Sequence, residues 1–106
     1  MAVWPQIRIT VLKKNFDPEL AQAYRKPEAR KSPCNLFEVG QVFMVDGFAG
    51  QPADWPCGWA WNDIHRVVTA LTVGGDFGVW MQNPAEFITC CTDGIKPVVF
   101  KVERLP

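Results

Sequence analysis

Serine, histidine and tyrosine occur once each in this chain, as Ser32, His65 and Tyr24. A Ser-His-Asp triad would have to use Ser32, which sits in a charged segment between prolines and basic residues with no nucleophile elbow around it. That machinery is excluded. Net charge is lacking too: 11 Lys/Arg balance 11 Asp/Glu, which argues against a nucleic-acid or membrane-surface protein held by its overall field. No apolar run approaches the roughly 20 residues that a bilayer crossing needs. The opening MAVWPQIR has no apolar core of a secretory signal, so a cytoplasmic location is expected. There is no internal repeat, low-complexity tract or linker. With 48% apolar and 21% charged residues, the 106 residues are expected to form a single domain, 1–106, rather than a disordered, collagenous or coiled-coil chain.

Residues 6–12 (QIRITVL) alternate, with Ile7, Ile9 and Val11 on one face, and predict a strand with one wet side. Asp17-Pro18-Glu19 supplies a cap, a proline whose missing N–H costs nothing, and an acid in the first turn of a helix running to about Arg25; Pro27 ends it. Residues 26–35 (KPEARKSPCN) form a surface loop that delivers Cys34. Residues 41–45 (QVFMV) are apolar on both faces, as in a central strand covered on both sides, and Asp46-Gly47 stops them. Asp54-Trp55-Pro56 resembles a second cap-and-proline helix start. Apolar residues at 60, 61, 64, 67, 68 and 71 then give one wide buried helical stripe, closed at Gly74-Gly75. Residues 86–92 and 97–104 predict an antiparallel hairpin turning at Thr92-Asp93-Gly94. The order β-α-β-α-β-β predicts an α+β domain with a small, largely antiparallel sheet and two helices on one face.

The neutral total hides a split. Residues 1–31 carry 7 basic against 3 acidic side chains, which either steers an anionic ligand, marks self-association between opposite faces, or is simply a solvated face. The GGDFG segment at 74–78 has neither the G-x-G-x-x-G nor the G-K-[ST] arrangement that holds phosphates, and reads as a helix stop followed by a loop.

Thiols are the remaining chemical groups. Cys34, Cys57, Cys90 and Cys91 match no C-x2-C zinc pattern, and without a signal peptide reduced thiols are expected. With a helix starting at or just after Asp54, Cys57 falls in its first turn, where free N–H groups and the helix dipole favour a thiolate; the plainer reading is a small buried hydrophobe. His65 lies eight residues on, about 12 Å along the axis, on the polar side with Asn62, Arg66 and Thr69, so it forms no dyad with Cys57. Cys90 and Cys91 are strand neighbours pointing to opposite faces; Cys91, next to the Asp93-Gly94 turn, is the one placed to meet Cys34 or Cys57. Trp61 belongs to the buried stripe, whereas Trp55, Trp59 and Trp80 line either a pocket for a flat or apolar ligand or a self-association surface.

Three blocks of residues together resemble a family of small, mostly uncharacterised prokaryotic proteins. They are Pro33-Cys34 followed by Gly40-Gln41-Val42-Phe43, then Cys57-Gly58-Trp59-Ala60-Trp61, then Cys91-Thr92-Asp93-Gly94-Ile95-Lys96-Pro97-Val98-Val99-Phe100. The resemblance spans nearly the whole chain and singles out Cys34, Cys57 and Cys91, leaving Cys90 and His65 outside the pattern. It implies no reaction, substrate or cofactor. Gly58 after Cys57, and a longer, more basic loop before Cys34, depart from the usual form.

Two functions are therefore expected. The first is a site of Cys34, Cys57 and Cys91, with Asp93 as fourth ligand or orienting carboxylate. It would bind zinc, copper or iron, or present a reactive thiolate (Cys57 or Cys91) to a small molecule in a pocket of Trp55, Trp59 and Trp80. The second is a non-catalytic homo-oligomeric interaction domain whose cysteines are packing residues and whose tryptophans bury at a subunit contact.

Overall fold

A computed structural model describes residues 4–29 and 32–106; Arg30 and Lys31, part of the basic loop noted above, lie outside the described residues. The elements are β1 (Gln6–Lys14), α1 (Pro18–Tyr24), a single 3-10 turn (Pro27–Ala29), β2 (Val42–Asp46), α2 (Gly58–Thr72), β3 (Glu86–Cys90) and β4 (Val98–Arg104). The four strands form one antiparallel sheet in the order β2-β1-β4-β3. The α+β class and the β-α-β-α-β-β order are those predicted from the alternation and stripe patterns.

One face of this sheet carries the core. Ile7, Ile9 and Val11 of β1, Phe43 and Val45 of β2, and Val98, Phe100 and Val102 of β4 are fully buried on it. Because side chains alternate along a strand, these positions all point to α2, whose Ala60, Ile64, Val67, Val68 and Leu71 return the contact. Each such large aliphatic side chain contributes roughly 1.5–3 kcal/mol by leaving water. Phe37 and Trp55, from the loops before β2 and α2, complete the cluster, packing edge-on to Phe43 and against Phe100.

The other face is open. Arg8 on β1 is bonded to Glu103 on β4 at 3.1 Å, and Lys101 reaches the same carboxylate at 3.2 Å. Here the structure corrects one sequence expectation: the doubly apolar β2 is an edge strand, not a central one, and its Val42 and Met44 lie exposed on this open face. Apolar alternation on both faces reports side-chain type, and what covers a face is decided by other elements.

The short helix α1 forms as its sequence suggests, with Asp17 Oδ1 accepting the Leu20 N–H at 3.0 Å and Pro18 opening the first turn. It buries Ala21 alone. Its position is fixed at its two ends by the β3–β4 loop: the Asp17 N–H donates to Ile95 O at 2.8 Å, and Arg25 Nη2 donates to both Asp93 carboxylate oxygens at 3.1 Å.

Candidate functional site: three thiols at one end of the core

Cys57 is where the second helix begins. The start lies three residues beyond Asp54, and Cys57 itself is the N-cap, in an extended conformation, with Sγ accepting the Ala60 N–H at 3.5 Å. Two features hold it there. Its carbonyl accepts from the Trp61 N–H as the first helical bond, and it also accepts from the Trp55 indole N–H at 2.6 Å. Trp55 is only 5% exposed, so the cap is pinned from the core side. The Trp55 ring sits beneath the site as part of the core and does not line the pocket, a different role from the ligand wall expected from sequence.

Cys91 is the first residue after β3. Its N–H continues the ladder to Val98 O at 3.1 Å, and the Val98 N–H donates back to Cys91 Sγ at 3.3 Å. The loop that follows is organised by Asp93, whose Oδ1 accepts the N–H groups of Ile95 and Lys96, both at 2.9 Å, in addition to the Arg25 pair. Burial pushes the Asp93 carboxyl up, but the Lys96 and Ile95 N–H groups and the Arg25 guanidinium outweigh it, and its pKa is held below the usual carboxylate value. The next residue to Cys91, Thr92, donates its N–H to Asp63 Oδ2 of α2 at 2.7 Å. The turn carrying Cys91 is thus tied to α1 on one side and to α2 on the other.

Cys34 arrives from the loop before β2, half-buried against the core. That loop is anchored by Lys14, whose Nζ donates to Phe37 O at 2.9 Å.

These three segments meet. Cys34, Cys57 and Cys91 line one cleft of about 170 Å³, floored by Phe37, Ala60 and Val98 and walled by Trp59, Asn35, Leu36 and the loop residues Thr92, Asp93 and Lys96. The three thiols are free and partly buried. Trp59, 78% exposed, stands at the rim of this cleft. The fourth cysteine, Cys90, is exposed on the open face of the sheet opposite Val99, as strand alternation required.

The remaining expected site residues lie elsewhere. Trp80 is 74% exposed and packs with Phe77 and Phe87 in a separate aromatic group near the far end of α2. His65 is exposed and stacks on Trp61 at 6.4 Å. As to a metal, among the described residues no group of three or more His, Cys, Asp or Glu side chains is arranged to hold an ion. The Asp93 carboxylate, expected as a ligand, is committed to loop N–H groups and Arg25. Two residues, Lys96 in the cleft and Asp63 in the hollow beside it, have no expected role from sequence. Lys96 stands in the third sequence block with no role attached to it. Asp63 was not noted, because its partner Thr92 is 29 residues away. Comparison with known proteins finds no match to any family model, curated protein or solved structure.

Proposed function

We propose that this protein binds a small molecule in the cleft of Cys34, Cys57 and Cys91 and reacts with it through the Cys57 sulfur. The observation that carries the reading is the convergence of three cysteines from three distant segments on one apolar, tryptophan-rimmed cleft. Each of the three sequence blocks supplies one of these sulfurs. Cys57 is the nucleophile because it occupies the end of α2 where the N–H groups and helix dipole stabilise negative charge developing on sulfur. Attack forms an S–C bond to an electrophilic carbon. Either the bond to a leaving group breaks and its electron pair departs with that group while the thiol proton passes to solvent, or the π pair of a carbonyl-conjugated C=C shifts toward the carbonyl oxygen and the neighbouring carbon then takes up a proton, so that the thiol adds across the double bond. Trp55 and Asp93 act as positioning residues, the first through the Cys57 carbonyl and the second through the loop that carries Cys91.

Exposed Cys90 is a built-in reference for the test. Native protein treated with limiting iodoacetamide and mapped by mass spectrometry is expected to carry the label on Cys57 about tenfold faster than on Cys90. A Cys57, Cys34 and Cys91 that all react more slowly than Cys90, and match it only after unfolding, would show that these thiols are packing residues and overturn the reading.

A further inference from the structure

The charge balance of the cleft narrows the class of molecule it takes. Two charged side chains line it, Asp93 and Lys96. The Asp93 charge is neutralised by the two-pronged Arg25 pair at 3.1 Å and by two backbone N–H groups. Lys96 has no hydrogen bond or ion pair among the described residues; only its N–H is used, by Asp93. Asp63, the nearest further acid, lines the adjoining hollow with Trp59 and Thr92, and its carboxylate accepts the Thr92 N–H. Within the cleft's own lining the Lys96 ammonium is therefore the one charge without a counter-charge among the described residues, on walls that are mostly apolar apart from Asn35 and Thr92. The Gly58 and Trp59 N–H groups, the first two of α2, likewise have no partner among the described residues and add donors at the same end. Size sets a second limit, since a cavity of about 150 Å³ takes a single benzene ring.

From these two limits, and resting on the thiol chemistry proposed above, we infer that the cleft selects small anionic electrophiles: a molecule of about one ring or a short unsaturated chain, bearing a carboxylate or similar anion. Lys96 is the specificity-determining residue. The anion pairs with the ammonium, the apolar body lies against Trp59 and Val98, and the reacting carbon is presented to Cys57 Sγ.

Iodoacetate and iodoacetamide deliver the same S–CH2 bond with loss of iodide and differ in carrying a carboxylate or a neutral amide, so their rate ratio reads the selection directly. With Cys90 in the same molecule as reference, the iodoacetate-to-iodoacetamide ratio is expected to be about tenfold higher at Cys57 and to fall as salt is added. In Lys96→Met the ratio, with both rates at Cys57 taken relative to Cys90 in the same variant, should drop to the Cys90 value; Lys96→Arg should restore it. Equal ratios at Cys57 and Cys90, with Cys57 still fast toward iodoacetamide, would overturn the anion selection and leave the thiol reading standing. A preference that survives in Lys96→Met would overturn the assignment to Lys96. A Cys57 inert to both reagents would remove the thiol reading and this inference with it.

Discussion

At its C-terminal end α2 is closed by strong groups. Gly74, at φ +92°, lets the chain turn back so that the Gly75 N–H donates to Ala70 O at 2.8 Å and the Gly74 N–H to Leu71 O at 3.1 Å, a full Schellman closure. Arg104 of β4 then donates from Nη1 to the carbonyls of Leu71 and Gly75, both at 2.9 Å, placing a cation where the helix dipole is negative. At its N-terminal end the same helix is capped by a single sulfur at 3.5 Å, a weak acceptor, where serine, aspartate or asparagine would serve better. One end is finished for stability. The other has a weaker cap and places a polarisable thiol on a cleft, and it is this thiol that the proposed function uses.

Breaking the strong end should have the larger effect on stability. Arg104→Met removes the charged donor from the Leu71 carbonyl in the last turn of α2 and from the Gly75 carbonyl just past it and is expected to cost about 1–3 kcal/mol in urea unfolding, while the iodoacetamide rate at Cys57 in the folded protein stays unchanged. Equal loss of both would mean that the two ends are not independent.

Improving the weak end should move stability the other way. Cys57→Ser supplies an oxygen acceptor for the Ala60 N–H and is expected to raise stability by about 0.5–1 kcal/mol, although it removes the proposed nucleophile. A serine variant less stable than the parent would show that the sulfur is valued for packing against the core rather than for chemistry.

The smallest effect concerns the loop that carries Cys91. Asp93 has its folded-state pKa depressed, so the folded protein favours the ionised form. Its contribution is complete above the unfolded value of about 3.9 and is lost as pH falls through the folded value. Glu103, lowered chiefly by its Arg8 hydrogen bond with burial opposing, acts in the same direction over the same acid range. Asp93→Asn should therefore cost about 0.5 kcal/mol at pH 7 and leave a shallower decline of stability below about pH 4, measured by chemical unfolding across pH. A variant whose acid decline is as steep as the parent's would move the acid sensitivity to other carboxylates.

Much of this architecture was readable residue by residue. The Ile7, Ile9, Val11 alternation, the Asp17-Pro18 start of α1, the stripe from Ala60 to Leu71 and the Gly74 stop are each written within a few neighbouring positions, and each appears in the fold. The second helix start was misplaced by three residues because Asp54-Trp55-Pro56 carries a stronger local signal than a cysteine cap. The sequence leaves Trp55, Trp59 and Trp80 together as residues of a pocket or of a contact surface, since nothing in a run of tryptophans says which ring the core will take.

What the sequence determined by itself is therefore local: strand alternation, helix stripe, caps and turns, and the opposite facing of Cys90 and Cys91. These follow from backbone geometry with a reach of a few residues. Which strand became an edge, which cysteines met, and which charge in the cleft was left uncompensated were settled by tertiary structure alone. Those outcomes depend on pairings such as Arg25 with Asp93 and Asp63 with Thr92, between residues far apart in the chain, and no spacing rule along the sequence encodes them.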